Sequence, residues 1–138
     1  MSVLTACRKK SDDNTFSVTF IDVGKGDCIV ISCGGSTLMI DTGYDSTAES
    51  VLEHLKQMDI DHLDKLIVTH YDKDHAGGAA KIIGSVPVSE IYLPGYESGS
   101  SVCKEVISAS EKGGNSAKVT AEDSFLLNCP FPSTPTSG

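Results

Sequence analysis

The sequence predicts an α/β layered domain. Three observations carry that expectation. Residues 16–41 hold three short stretches of strand-type patterning. After residue 46 the apolar spacing changes from two to 3.6. A continuous apolar run at 65–69 (KLIVT) then leads directly into a loop rich in histidine and aspartate. Strand patterns followed by alternating helix and strand patterns are the signature of layered α/β architecture.

The elements follow in order. Residues 16–22 (FSVTFID) alternate apolar and polar and stop at Val23-Gly24, as a strand running into a turn does. Residues 28–32 (CIVIS) are a second, β-branched strand. Gly34-Gly35 supplies the positive φ of a tight hairpin, and residues 36–41 (STLMID) form the third strand. Ser46-Thr47-Ala48-Glu49 has capping-box spacing. Ala48, Val51, Leu52, Leu55 and Met58 then share one helical stripe. The run 65–69 predicts a strand buried on both faces. A short helix is expected at 79–83, a strand at 90–93, a helix at 101–112 stopped by Gly113-Gly114, and a last strand at 118–120. Three segments result: a leader over 1–15, a domain over 16–127, and an aperiodic tail over 128–138 with three prolines.

At 138 residues the chain is one domain at most. Its net charge of −8 argues against binding nucleic acid chiefly by phosphate neutralisation. Metal ions would reverse that sign locally, so a nucleic-acid substrate stays open. No stretch approaches the roughly 18 apolar residues of a membrane span. Five cysteines show no C-x-x-C spacing, and Cys28, Cys33 and Cys103 fall in strand or helix patterns as buried thiols do. Leu4-Thr5-Ala6-Cys7 matches a bacterial lipobox, yet only six residues precede Cys7. Either the match is chance, or it is the remnant of a lipoprotein signal with a lipid anchor at Cys7 and an extracytoplasmic location.

The chemistry lies in Thr69-His70-Tyr71-Asp72-Lys73-Asp74-His75-Ala76-Gly77-Gly78. Four potential metal ligands, His70, Asp72, Asp74 and His75, fall within six residues at the C-terminal end of a buried strand, where α/β folds place ligands. Imidazole and carboxylate suit Zn²⁺ and its neighbours. Residues 70, 72 and 74 can converge on one ion, and Asp74-His75 can address a second. Two ions about 3.5–4 Å apart form a clamp for phosphodiester or amide hydrolysis. Gly77-Gly78 turns the backbone away without crowding the ions. Any one of these residues would be ordinary in a solvated turn; the assembled pattern is not. His54 lies off the apolar stripe of its helix and His62 in a loop, both as surface residues.

This loop resembles the H-x-H-x-D-H signature of the metallo-β-lactamase superfamily, with Asp72 where the second histidine usually stands. The H-x-D-x-D-H variant followed by Ala-Gly-Gly is most similar to the hydrolase domain of ComEC-like competence proteins and their secreted relatives. Residues 20–28 (FIDVGKGDC) and 38–43 (LMIDTG) resemble two further family motifs, in the family's order. The resemblance implies a metallo-β-lactamase αββα sandwich with a two-metal, Zn²⁺-type site at one edge. His70 and Asp72 would bind the first ion, and Asp74 and His75 the second. Metal-activated water would attack a phosphorus or carbonyl centre, with Asp74 as the candidate catalytic residue. Asp41 would hold the loop by hydrogen bonds. Asp22 and Asp27 would shape the loop facing the site, or simply cap their turn. Thr69 would brace the loop.

The family's second half supplies further ligands, among them later histidines. No histidine follows His75 here, and Asp123 is the only later aspartate. The sequence therefore reads as the first half of the domain, an incomplete sandwich. A frameshift near Asn128 is one account of the tail. Half a sandwich would leave a sheet face bare, so a homodimer or another association covering it is expected. The leading expectation is a metal-dependent hydrolase, phosphodiesterase- or nuclease-like in the intact parent, with this chain inactive alone. The alternative is a non-catalytic metal- or partner-binding fragment. β-Lactamase activity is disfavoured because Asp72 replaces a histidine. That oxygen ligand also makes Mn²⁺ credible beside Zn²⁺.

Overall fold

The computed structural model describes residues 15–113 and the backbone of 115–119. The lipobox-like Leu4–Cys7 match, Asp123 and the tail over 128–138 lie outside the described residues. Strands β1 (Phe16–Phe20), β2 (Ile29–Cys33) and β3 (Ser36–Ile40) form an antiparallel meander. Gly34 and Gly35 turn its second hairpin at φ of 56° and 81°. Strands β4 (Leu63–Ile67), β5 (Val88–Pro94) and β6 (Asn115–Val119) then add in parallel to β3, giving one mixed sheet in the order β1-β2-β3-β4-β5-β6. Parallel neighbours need crossovers, and helices α1 (Ala48–Gln57), α3 (Ala79–Ser85) and α4 (Ser101–Gly113) supply them. The four-residue α2 (Lys73–Ala76) sits inside the loop after β4.

The core lies between the sheet and these helices. Val30, Met39, Leu66 and Ile91 rise from the sheet against Val51 and Leu55 of α1, Ile82 and Ile83 of α3, and Val102 and Val106 of α4. Leu66 is fully buried at its centre. The other sheet face differs. The register places Phe16, Val18 and Phe20 of β1 beside Cys33, Ile31 and Ile29 of β2, which continue to Leu38 and Ile40 of β3. Phe16, Val18 and Phe20 are 61%, 42% and 74% exposed. Among the described residues no helix covers that face. The described residues thus form one sheet with one helical layer, two of the four layers of the expected sandwich.

Three expectations need correction. The capping box is not formed: residues Asp45–Thr47 make a 3₁₀ turn, α1 starts at Ala48, and the Thr47 hydroxyl donates back to the Tyr44 carbonyl. Strand β4 is not buried on both faces, because among the described residues only one helical layer packs on the sheet and Lys65 and Ile67 stay half-exposed on the other side. Cys33 is disulfide-bonded, whereas Cys28 and Cys103 are the buried free thiols foreseen.

Candidate metal site

Three loops meet where β1, β3 and β4 end, since those strands run the same way. The loop after β1 crosses the metal-type loop at close range. A Cβ on Gly26 would lie 2.2 Å from the Asp74 carbonyl oxygen, so only glycine fits there. Asp27 N–H donates to that carbonyl at 3.3 Å, and Gly43 N–H donates to the Asp27 carbonyl at 2.9 Å. From the loop after β3, the Thr42 N–H and hydroxyl both reach the His75 carbonyl, at 2.7 and 3.1 Å. Gly77 is equally confined, with Lys73 O at 2.3 Å from where its Cβ would stand.

Asp41 orients the histidines. It is 2% exposed and has a φ of 55°, a left-handed conformation that aspartate tolerates better than most residues. Its Oδ1 accepts the Thr69 N–H at 2.8 Å. Its Oδ2 accepts the Thr69 hydroxyl at 2.6 Å and His75 Nδ1–H at 3.0 Å. With its proton turned to Asp41, the Thr69 oxygen accepts from His70 Nδ1–H at 2.9 Å. Both imidazoles are thereby held as Nδ1–H tautomers, which leaves both Nε2 lone pairs for a ligand. The two rings stack with centroids 4.0 Å apart.

Asp41, His70 and His75 each offer a ligand atom within 4.8 Å of the others. Asp41 is the least available of the three, since Thr69 and His75 already occupy its oxygens; its geometry is that of an orienting carboxylate. Asp72 and Asp74 stand outside this trio, but each meets a histidine Nε2: Asp72 Oδ2 is 3.6 Å from His70 and Asp74 Oδ2 is 3.7 Å from His75. Asp27 reaches His75 Nδ1 at 3.6 Å. Asp22 does something local: its Oδ1 accepts the Gly24 N–H at 3.0 Å and caps its own turn. Burial pulls the His75 pKa down, but the Asp41 hydrogen bond and the charges of Asp41, Asp74 and Asp27 outweigh it and leave it raised. The Cys28 thiol behind the site is pushed up to about 12 by burial and by Asp41, so it stays protonated.

The two other histidines are at the surface. His54 bonds the Ser50 carbonyl in its own helix, and His62 meets Ser89. Sequence reasoning passed over Gly26, Thr42 and Tyr71. Tyr71 anchors the loop, buried between its flanking residues with its ring edge-on to Tyr96. The signal for Thr42 was present, since it belongs to the motif that contains Asp41.

The donor set fits a divalent ion of the zinc or manganese kind. Two imidazole nitrogens are already in the ligating tautomer, with carboxylates beside each.

Comparison with known proteins bears on the family and the fold. A family model described as "Metallo-beta-lactamase superfamily" matches residues 21–127. Competence protein ComA of Neisseria gonorrhoeae is 31% identical over 96 residues, 67% of this chain and 14% of that protein. Recombination protein 2 of Haemophilus influenzae is 37% identical over 91 residues, 62% of this chain and 11% of that protein. The chain therefore spans only a small part of the length of these relatives. A metallo-β-lactamase-type structure from Thermotoga maritima superposes with a TM-score of 0.56 at 17% identity, over 83% of this chain and 59% of that one. That likeness concerns the fold.

Proposed function

This chain belongs to the metallo-β-lactamase superfamily, and on that premise we propose that it carries metal-gathering residues of a hydrolase that cleaves phosphodiester bonds. The observation that carries the reading is the Asp41–Thr69–His70 relay together with the Asp41–His75 bond, which frees both Nε2 atoms. His70 and Asp72 would hold one ion, and Asp74 and His75 a second. Such ions supply Lewis acidity and an activated water near neutral pH. Asp74 is the candidate catalytic residue, because its partly exposed carboxylate stands beside His75 Nε2. Asp41, Thr69 and Asp27 keep the imidazoles aimed, and Asp22 keeps the neighbouring loop folded.

Asp72 supports a phosphodiester over a β-lactam, since a carboxylate in that place makes the first site richer in oxygen and open to Mn²⁺ as well as Zn²⁺. The names of the two relatives, a competence and a recombination protein, support a nucleic-acid substrate. The Cys33 disulfide supports an extracytoplasmic location, where oxidised cysteines persist. A lipid anchor at Cys7 would fit the same compartment.

A second reading is a metal- or partner-binding piece without catalysis. It is favoured by the donor set: of the three groups within 4.8 Å of one another, Asp41, His70 and His75, the carboxylate is already engaged by Thr69 and His75, whereas catalytic zinc normally has three protein ligands. Calorimetric titration with Zn²⁺ and Mn²⁺ separates the readings. Tight binding near two ions per chain, lost in His70→Ala, with turnover of bis(p-nitrophenyl) phosphate and single-stranded DNA but not a cephalosporin, is expected of the hydrolase. Binding without turnover of any of the three leaves the non-catalytic reading. Absence of binding overturns both.

A further inference from the structure

We propose that Tyr96 is a stacking platform for a nucleobase of the substrate, set beside the metal loop. The proposal rests on the phosphodiester reading and names the part of the substrate that the loop after β5 would meet. Of the large apolar side chains exposed among the described residues, Phe16, Val18 and Phe20 all belong to β1, on the sheet face away from the described helices. Tyr96 is the one that does not, and it is 52% exposed. Strand β5 runs parallel to β4, so its last residue, Pro94, ends on the same sheet edge as the metal loop. The Tyr96 ring stands edge-on to the Tyr71 ring, with centroids 5.7 Å apart and planes at 83°. Tyr71 lies between His70 and Asp72 in the sequence and is itself buried.

The exposure of Tyr96 is built in. Its loop is pinned to α4: Ser98 N–H reaches Cys103 Sγ at 3.3 Å, Ser98 and Ser100 hydroxyls meet at 2.9 Å, and Cys103 N–H donates to Ser100 Oγ at 3.1 Å. The edge-on contact with Tyr71 uses one side of the aromatic pair and leaves ring surface to solvent. An ordered, half-exposed ring held against an active-site loop is what base stacking uses, because every base offers a π-face.

The test is a binding titration on the full chain with Zn²⁺ present. The probes are the dinucleotide TpT and the same diester carrying abasic sugars. TpT is expected to bind at least about tenfold more tightly than the abasic diester. Tyr96→Ala should erase that difference while leaving the abasic diester unchanged. Tyr96→Trp should keep it. Because the chain has no other tryptophan, emission from that variant should be quenched by TpT and not by the abasic probe. Equal binding of both probes to the unaltered chain, or an equal loss for both in Tyr96→Ala, overturns the stacking role while the phosphodiester reading stands. If neither probe binds, the phosphodiester reading falls and the stacking role with it.

Discussion

Asp41→Asn keeps the volume of the side chain and removes an acceptor. Oδ2 takes two donors, the Thr69 hydroxyl and His75 Nδ1–H, and an amide in the same place cannot accept from both while Oδ1 keeps Thr69 N–H. Either the Thr69 N–H or the pair formed by the Thr69 hydroxyl and His75 Nδ1–H loses its acceptor, and the alignment that sets both imidazoles is weakened. Zn²⁺ affinity is expected to fall about 10–100-fold, as for other residues that orient metal ligands. Calorimetry at fixed pH checks it, and unchanged affinity would remove Asp41 from the site. Gly26→Ala tests the neighbouring loop. Its Cβ would sit 2.2 Å from the Asp74 carbonyl, so the two loops must part. A destabilisation of about 1–3 kcal/mol is expected in urea unfolding, the usual range for overpacking. At this scale the sequence showed His70, Asp72, Asp74 and His75 because they are neighbours in the chain. Gly26 against Asp74, and Thr42 against His75, were hidden because these contacts join distant segments and leave no local pattern.

Among the elements, β4 decides most, since it lies at the centre of the sheet and delivers the metal loop. Leu66→Ala, at its fully buried centre, is expected to cost about 2–5 kcal/mol in thermal or denaturant unfolding. On the opposite face, Lys65 Nζ meets Glu90 Oε2 at 2.6 Å, and the Tyr92 hydroxyl donates to the same carboxylate. The hydrogen bond from Lys65, then that from Tyr92, holds the Glu90 carboxyl below its usual range; the bond to Glu90 holds Lys65 above its own. A lowered carboxyl stabilises the fold above its ordinary pKa and loses that contribution as pH falls through its folded value. Unfolding curves from pH 7 to 3 should therefore show an acid-side loss that is smaller in Glu90→Gln. Identical pH slopes in the two proteins would dismiss the pair. The strands themselves were legible because their apolar runs are short and bounded by glycine, proline or aspartate. The capping box failed because Thr47 bonds back to Tyr44, a turn that competes with the cap. The both-faces reading of β4 failed because an apolar run reports hydrophobicity and not how many layers cover it.

For the whole molecule, the β1 side of the sheet face that no described helix covers outweighs any single contact: Phe16, Val18 and Phe20 are exposed there, although Leu38 and Cys33 further across are buried. Phe16, Val18 and Phe20 form a row on β1, and Ile29, Ile31 and Ile40 widen it across β2 and β3. Apolar surface left in water costs on the order of 25 cal/mol per Å², and soluble monomers seldom leave a large contiguous patch uncovered. A second copy laid face to face on this row would bury both copies at once, as the two sheets of a sandwich do. Sedimentation velocity of the full chain should therefore show concentration-dependent association. Replacing the row together, by Phe16→Thr, Val18→Thr and Phe20→Lys, should return the chain to a monomer. Threonine keeps strand propensity and lysine discourages edge pairing, so the variant should retain its sheet by circular dichroism. Its Zn²⁺ affinity should also persist, because His70, His75 and Asp41 are held from the loops at the strand ends and not from the open face. A chain that stays monomeric at every concentration, with no binding of an apolar dye, would show that this face needs no cover. If the triple variant lost Zn²⁺ binding while keeping its sheet, the metal site would depend on the covered face, contrary to the hydrogen-bond relay from Asp41.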